Sequence, residues 1–184
     1  YNLTLALKVQ EELRRRHISA VVLNYNVDSG SFAQRKRTLQ ETGATLFMSI
    51  HHDSVQPHYL SEWSFEGTQQ RYSDKFSGFS LFVSAKSSTF DQNKGLANSI
   101  GSHLAKVSHA THHHAEAIRG ENRTLLYPQT GVYQFDNLGI LRGNTIPSVL
   151  IEAGVLVNRN EELRLSDSLY QLFLASNIAS GINQ

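Results

Sequence analysis

Helical and strand-like patterns alternate along this chain, and that alternation constrains the fold more than any other feature of the sequence. Residues 3–16 carry an amphipathic helical period. Leu3, Ala6, Leu7, Gln10 and Leu13 share one face, and Arg14, Arg15 and Arg16 fill the last turn, where cations complement the helix dipole. Residues 20–24 read AVVLN, a short β-branched run that predicts a strand. FAQRKRTLQETG predicts a second helix, capped by Ser29 or Ser31 and ended by Gly43. TLFMSI, residues 45–50, predicts the next strand. Helix, strand, helix, strand in this order implies an α/β fold: one domain with a twisted, mostly parallel sheet and helices on both faces.

The remainder continues the pattern with two polar interruptions. Residues 56–77 predict a surface excursion, and residues 110–128 an irregular, solvated stretch. GFSLFVSA, residues 78–85, alternates as a strand. Leu96, Ile100, Leu104 and Val107 recur at helical spacing between about Asn93 and Ser108. Residues 132–141 carry VYQFD and LGILR, of which the second predicts a short strand. PSVLIEAG, residues 147–154, predicts a strand entered through Pro147, with Glu152 at its end. NRNEELRLSD predicts a short helix starting near Asn158 or Asn160, and SLYQLFLASNIASGI a last helix bearing Leu169, Leu172, Phe173 and Ser176, with Ile178 to Ile182 nearby. No repeat or linker divides the 184 residues, which suffice for one sizeable core.

Composition narrows the function classes. A net charge of +1 leaves no polybasic footprint of a nucleic-acid binder. No apolar run approaches the roughly 20 residues that span a bilayer, and no signal peptide is visible. The chain opens on Tyr1-Asn2-Leu3 without a methionine, which reads as a processed or trimmed product. The absence of cysteine excludes disulfides, thiolate catalysis and cysteine-ligated metals. Nine histidines remain, several clustered: His51 and His52 with His58, and His109 with His112, His113 and His114.

In open α/β sheets ligands bind outside the carboxyl ends of the strands. Two strands here end in reactive side chains, one in His51-His52-Asp53 and the other in Glu152. Were they neighbours, an imidazole and a carboxylate distant in sequence would meet at one rim. A hydrolytic zinc site needs that arrangement. His52 points to the opposite face by strand alternation. Glu152 follows four apolar residues, where an unpaired carboxylate is costly, so a functional or an ion-paired role is expected. Asp53 is expected to bond the loop backbone. The histidines at 112–114 read as a solvated loop, and His103 and His109 as surface residues.

LFMSIHHDS, GFSLFVS and IPSVLIEAGVLVNRNEE, in that order, resemble the zinc-dependent N-acetylmuramoyl-L-alanine amidases of bacterial cell-wall turnover. The similarity runs over essentially the whole chain, and GENRTLLYPQTGVYQFDNLGILRG resembles the segment before the final strand in one branch of that family. The resemblance implies that residues 1–184 form an amidase catalytic domain with Zn2+ as cofactor. His51 would be a zinc ligand. Glu152 would take a proton from zinc-bound water and deliver it to the leaving amine. The bond cut would join the lactyl group of N-acetylmuramic acid to the first L-alanine of the stem peptide. Peptidoglycan would be the substrate, the location periplasmic or extracellular, and an activator protein or a cell-wall-binding domain a further partner.

One departure from the family pattern matters. The family opens with a strand ending in glycine-histidine-glycine and places a glutamate before its first long helix. Both ligands would lie upstream of Tyr1. The expectation is therefore a fragment of a longer protein, since losing a sheet strand exposes an edge. An alternative from another class is a non-catalytic peptidoglycan-binding or regulatory module that keeps the fold. A third reading, ranked behind these, lets His52, Asp53 or the histidines at 112–114 replace the missing ligands. A general zinc peptidase is disfavoured by the absence of a histidine-glutamate-x-x-histidine helix.

Overall fold

In the computed structural model, which describes residues 1–23, 32–115 and 117–182, the most apolar runs become the middle of a sheet. The strands are β1 (Phe47–Asp53), β2 (Ser61–Phe65), β3 (Thr68–Tyr72), β4 (Ser80–Val83), β5 (Thr124–Tyr127), β6 (Val132–Gln134) and β7 (Ser148–Val155). The helices are α1 (Asn2–Arg15), α2 (Phe32–Glu41), α3 (Phe90–Leu104), α4 (Arg159–Ser166) and α5 (Ser168–Ile182). The main sheet has the order β1-β7-β4-β6-β5, and β2-β3 form a separate hairpin. β7 and β4 are central and almost wholly buried, as their unbroken apolar runs require. The α/β class holds, and the ladders show a mixed sheet: β1 with β7 and β4 with β6 are parallel, while β4 with β7 and β5 with β6 are antiparallel.

Alternation divides the sheet side chains between two clusters. Leu81, Val83, Val132, Val149, Ile151 and Ala153 face a layer built from α1, α3, α4 and α5. Phe82, Tyr133, Leu141 and Leu150 face the other side, packed with Phe47, Leu125, Phe135, Leu138 and Ile140. Each fully buried Leu, Ile or Val contributes about 1.5–3 kcal/mol, so the larger, helix-covered cluster dominates stability. On the opposite side α2 touches the loop after β6, where Lys36 Nζ donates to the Arg142 carbonyl.

Several expectations need correction. The buried stripe of α1 is Leu5, Val9 and Leu13, while Leu3 is exposed. In α5 Ile178 is buried as expected, together with Gln171, Leu174, Ala175, Ala179 and Gly181, but Leu169, Leu172 and Phe173 face outward. Residues 20–23 form no strand: Val21 is 68% exposed, and the Ala20 carbonyl accepts from Gln10 Nε2 rather than from a sheet. Asn24 and both candidate caps of α2, Ser29 and Ser31, lie outside the described residues. LGILR is a turn, closed by Leu141 N to Leu138 O at 3.0 Å and Arg142 N to Leu138 O at 2.9 Å, whereas VYQ of the preceding segment is β6. The polar excursion holds the β2–β3 hairpin, turned at Glu66-Gly67.

Helix packing supplies one test. A Cβ on Gly101 of α3 would lie 2.4 Å from the Thr130 carbonyl oxygen and 2.8 Å from Thr130 Cβ. Alanine gains about 1 kcal/mol of helix propensity over glycine, but this contact meets backbone that cannot rotate away. Gly101→Ala is expected to lower stability by about 2 kcal/mol net. A chemical-denaturation midpoint at or above that of the parent would show that the contact yields.

Candidate active site

β1 and β7 run parallel, so their carboxyl ends share one rim, and their register pairs His51 with Glu152. Met48 and Ile50 of β1, like Val149, Ile151 and Ala153 of β7, pack toward the helices. Alternation therefore turns His51 and Glu152 to the other face. β4 flanks β7 antiparallel and pairs Ser80 with the same Glu152. After His51 the ladder slips, and Asp53 is opposite Val155. This irregularity re-aims the end of β1, as such bulges do. Leu156 N bonds the Asp53 carbonyl at 2.9 Å and fixes the new register. His52 points away, with Nδ1 2.6 Å from Asn2 Oδ1.

A second segment reaches the rim from the start of β4. Phe79 N donates to His109 O at 2.9 Å and Thr111 N to Phe79 O at 2.8 Å, which extends the sheet locally and carries His113 and His114 over the ends of β1 and β7. Both histidines are buried, at 2% and 7% exposure. His114 Nε2 lies 2.6 Å from Asp53 Oδ2, and its Nδ1 lies 2.8 Å from Glu121 Oε2. Glu121 Oε1 accepts from Gln56 Nε2 at 2.7 Å. His113 Nε2 lies 3.2 Å from the same Asp53 oxygen without a hydrogen bond to it. His113 Nδ1 meets Thr111 Oγ1 at 2.9 Å, and Tyr133 Oη donates to the Thr111 carbonyl at 2.8 Å. The ligand atoms of Asp53, His113 and His114 all fall within 4.8 Å of one another.

The electrostatics follow from burial and pairing. Burial pushes the Glu152 carboxyl up, the Asp53 charge adds to this and His114 opposes it, leaving its pKa at about 8. Burial also works against charge on Asp53, but the approach of His113 and the bond with His114 hold it down at about 2. For His114 burial favours the neutral ring, and the carboxylates of Asp53 and Glu121 overcome it, raising its pKa to about 9. Glu121 is lowered, its bonds from His114 and Gln56 outweighing burial. In the metal-free protein at neutral pH the rim therefore holds a protonated carboxyl beside an ion-paired imidazolium, and a cation bound there would favour the ionised carboxylate. Among the described residues Ser80 Oγ, His113 Nε2 and Glu152 Oε2 are buried without a hydrogen-bond partner. A buried acid with a pKa near neutrality can both accept and release a proton during turnover.

The expected meeting of the two strand ends is thus present, with His51 and Glu152 adjacent in register. Asp53 does bond the loop, through Ser54 N to Oδ1 at 2.7 Å, and its second oxygen serves the histidines. The solvated-loop reading of residues 112–114 is overturned for His113 and His114 and kept only for His112, which is exposed. Their carboxylate partners stand at Asp53 and Glu121, and the first of these contacts spans 61 residues. The only local signal was the histidine tract itself.

A family model described as N-acetylmuramoyl-L-alanine amidase matches residues 1–184. Among solved structures, the catalytic domain of the amidase CwlV from Bacillus (Paenibacillus) polymyxa var. colistinus is similar at 24% identity and a TM-score of 0.69, covering 99% of this chain and 80% of that one. The amidase Ami1 from Mycobacterium smegmatis is similar at 16% identity and a TM-score of 0.72, covering 98% and 73%. The CwlD amidase from Clostridioides difficile, solved in complex with the GerS lipoprotein, is similar at 23% identity and a TM-score of 0.61, covering 98% and 82%. No curated protein sequence matches the chain.

Proposed function

The chain belongs to the N-acetylmuramoyl-L-alanine amidase family and is a hydrolase of peptidoglycan amide bonds, and from that premise we propose that residues 1–184 act as a zinc-dependent catalytic domain with Glu152 as its proton-transfer group. The bond cleaved joins the lactyl carbonyl of N-acetylmuramic acid to the amine of the first L-alanine. One observation carries the assignment of residues. Glu152 is paired in register with His51 and holds a buried carboxylate oxygen with no partner among the described residues.

Zinc fits the donors at this rim: the imidazoles of His113 and His114 and the carboxylate of Asp53 lie within 4.8 Å of one another, the nitrogen and oxygen set that the ion prefers, and His51 is in register with Glu152 on the neighbouring strand. When bound, zinc supplies a Lewis acid for the carbonyl and lowers the pKa of water. His51 is proposed as a ligand, offered from the exposed side of the strand pair. Glu152 takes the proton of the attacking water onto its carboxylate, holds it in a site where burial stabilises the neutral acid, and returns it to the alanine nitrogen as the amide breaks. The proton is conserved, and the nitrogen leaves as an amine.

The substrate places the activity in the bacterial envelope, and a periplasmic or extracellular location is part of the proposal. No helix among the described residues is long and apolar enough to cross a membrane. The lipoprotein bound to the CwlD amidase supports a protein partner for this domain as well. The test is incubation of the purified chain with peptidoglycan and mass spectrometry of the soluble products. Stem peptides with a free alanine amine are expected, lost in EDTA and restored by zinc. Products cleaved only within the glycan or within the stem peptide would overturn the reading.

A further inference from the structure

We propose that Asp53 Oδ2, His113 Nε2 and His114 Nε2 form a buried divalent-metal site, carried by the end of β1 and the 109–114 segment, that does not need His51 for occupancy. The proposal rests on the metallohydrolase reading and identifies which side chains of this chain anchor the ion.

Three features point to a cation rather than to a self-contained ion-pair network. First, both Nε2 atoms converge on one carboxylate oxygen, at 2.6 and 3.2 Å. Only one of these contacts is a hydrogen bond. His113 Nε2 is left as a buried nitrogen without a hydrogen-bond partner on a residue 2% exposed. Such atoms are rare in folded proteins unless an ion or water completes them. Second, each ring is fixed through its far nitrogen. His114 Nδ1 is held by Glu121 at 2.8 Å, and His113 Nδ1 by Thr111 at 2.9 Å. Metal-ligating histidines are oriented in this way, with a carboxylate or hydroxyl setting the tautomer so that the other nitrogen offers its lone pair. Third, the outer partners are themselves held: Glu121 by Gln56 Nε2 at 2.7 Å, and the Thr111 backbone by Tyr133 Oη at 2.8 Å. Two imidazoles and one carboxylate suit a borderline first-row ion such as Zn2+ or Co2+ better than Mg2+ or Ca2+.

The experiment is metal binding to the EDTA-stripped chain, with Zn2+ affinity from calorimetry and Co2+ coordination from visible absorption. The parent is expected to bind one ion and to unfold at a higher temperature with zinc present. His113→Gln and Asp53→Asn are expected to lose the visible cobalt band while keeping the far-ultraviolet circular dichroism of the parent. Glu121→Gln touches no ion and is expected to weaken zinc by about 10- to 100-fold through the orientation of His114. His51→Ala, which removes the ligand proposed above, is expected to weaken zinc without abolishing binding or the visible cobalt band. Zinc affinity unchanged in both His113→Gln and Asp53→Asn would overturn the site, as would binding abolished by His51→Ala alone. Neither result bears on whether the parent cleaves peptidoglycan, so this assignment and the amidase reading fail separately.

Discussion

Replacing Glu152 by glutamine should reduce release of stem peptides by about 10²- to 10⁴-fold, the range lost when a positioned acid–base group is removed. The substitution keeps the shape and a polar head but cannot accept the water proton. Two further readouts separate catalysis from folding. The variant should retain its sheet, because Glu152 Oε2 makes no hydrogen bond within the protein that the change would break. It should also respond differently to pH in metal-free protein. The native carboxyl titrates at about 8, against 4.5 for an unperturbed glutamate. Below pH 4.5 both folded and unfolded chains hold the proton, and parent and variant are expected to be equally affected. Between pH 4.5 and 8 the unfolded chain releases the proton while the folded chain retains it, so the parent loses stability as pH rises. Above pH 8 the penalty is complete, at most about 5 kcal/mol. Glu152→Gln removes it, and EDTA-treated variant should unfold at higher temperature than the parent at pH 8.5, with the gap closing near pH 4. Hydrolysis within tenfold of the parent would remove Glu152 from the mechanism.

How far this site was legible depends on where its information resides. The run PSVLIEAG marked both a buried strand and the charge stranded at its end, because a carboxylate among apolar residues violates the local pattern. TLFMSIHHD marked its neighbour for the same reason, and the parallel pairing brought His51 level with Glu152. The start of α4 near Asn158 or Asn160 was readable, and the structure makes Asn158 the cap, its side-chain oxygen accepting from Asn160 N and Glu161 N. The failures share a cause. α1 and α5 have apolar residues on more than one face, so periodicity alone did not choose which stripe meets the sheet; Leu5 and Leu174 were buried while Leu3 and Phe173 were left out. LGILR has strand composition, but its bonds close locally over three or four residues. His113 and His114 look solvated because Asp53, the carboxylate both approach, comes from the end of β1, and because Glu121, 7 residues beyond His114, is brought back by a loop that no periodicity marks. Pairing that depends on tertiary approach leaves little mark on local sequence.

Replacing Glu161 by alanine should lower stability by about 3 kcal/mol, the largest loss expected from a single polar side chain here. Glu161 is 3% exposed in the first turn of α4, yet its carboxylate makes no salt bridge among the described residues. It is satisfied by backbone instead. Gly78 N donates to both oxygens at 2.9 Å, and Val155 N donates to Oε2 at 2.8 Å. One side chain thereby ties the end of β7 to the residue entering β4, beside the rim that carries Glu152. Gly78 adopts φ +97, and a Cβ there would lie 2.4 Å from His109 O, so only glycine fits this corner. With alanine at 161, two buried amides lose a charged acceptor, each worth about 1.5–3 kcal/mol. Part of this is recovered because a desolvated carboxylate also disappears. For a domain of this size the loss corresponds to about 6–12 °C in Tm. Glu161→Gln keeps one carbonyl acceptor and should fall between parent and alanine. Hydrogen exchange supplies the local readout, with the amides of Gly78 and Val155 losing protection ahead of the rest of β7. A stability loss below about 1 kcal/mol in Glu161→Ala, with those two amides still protected, would mean that the corner is held by the packing of Leu165 on Gly154 rather than by the carboxylate.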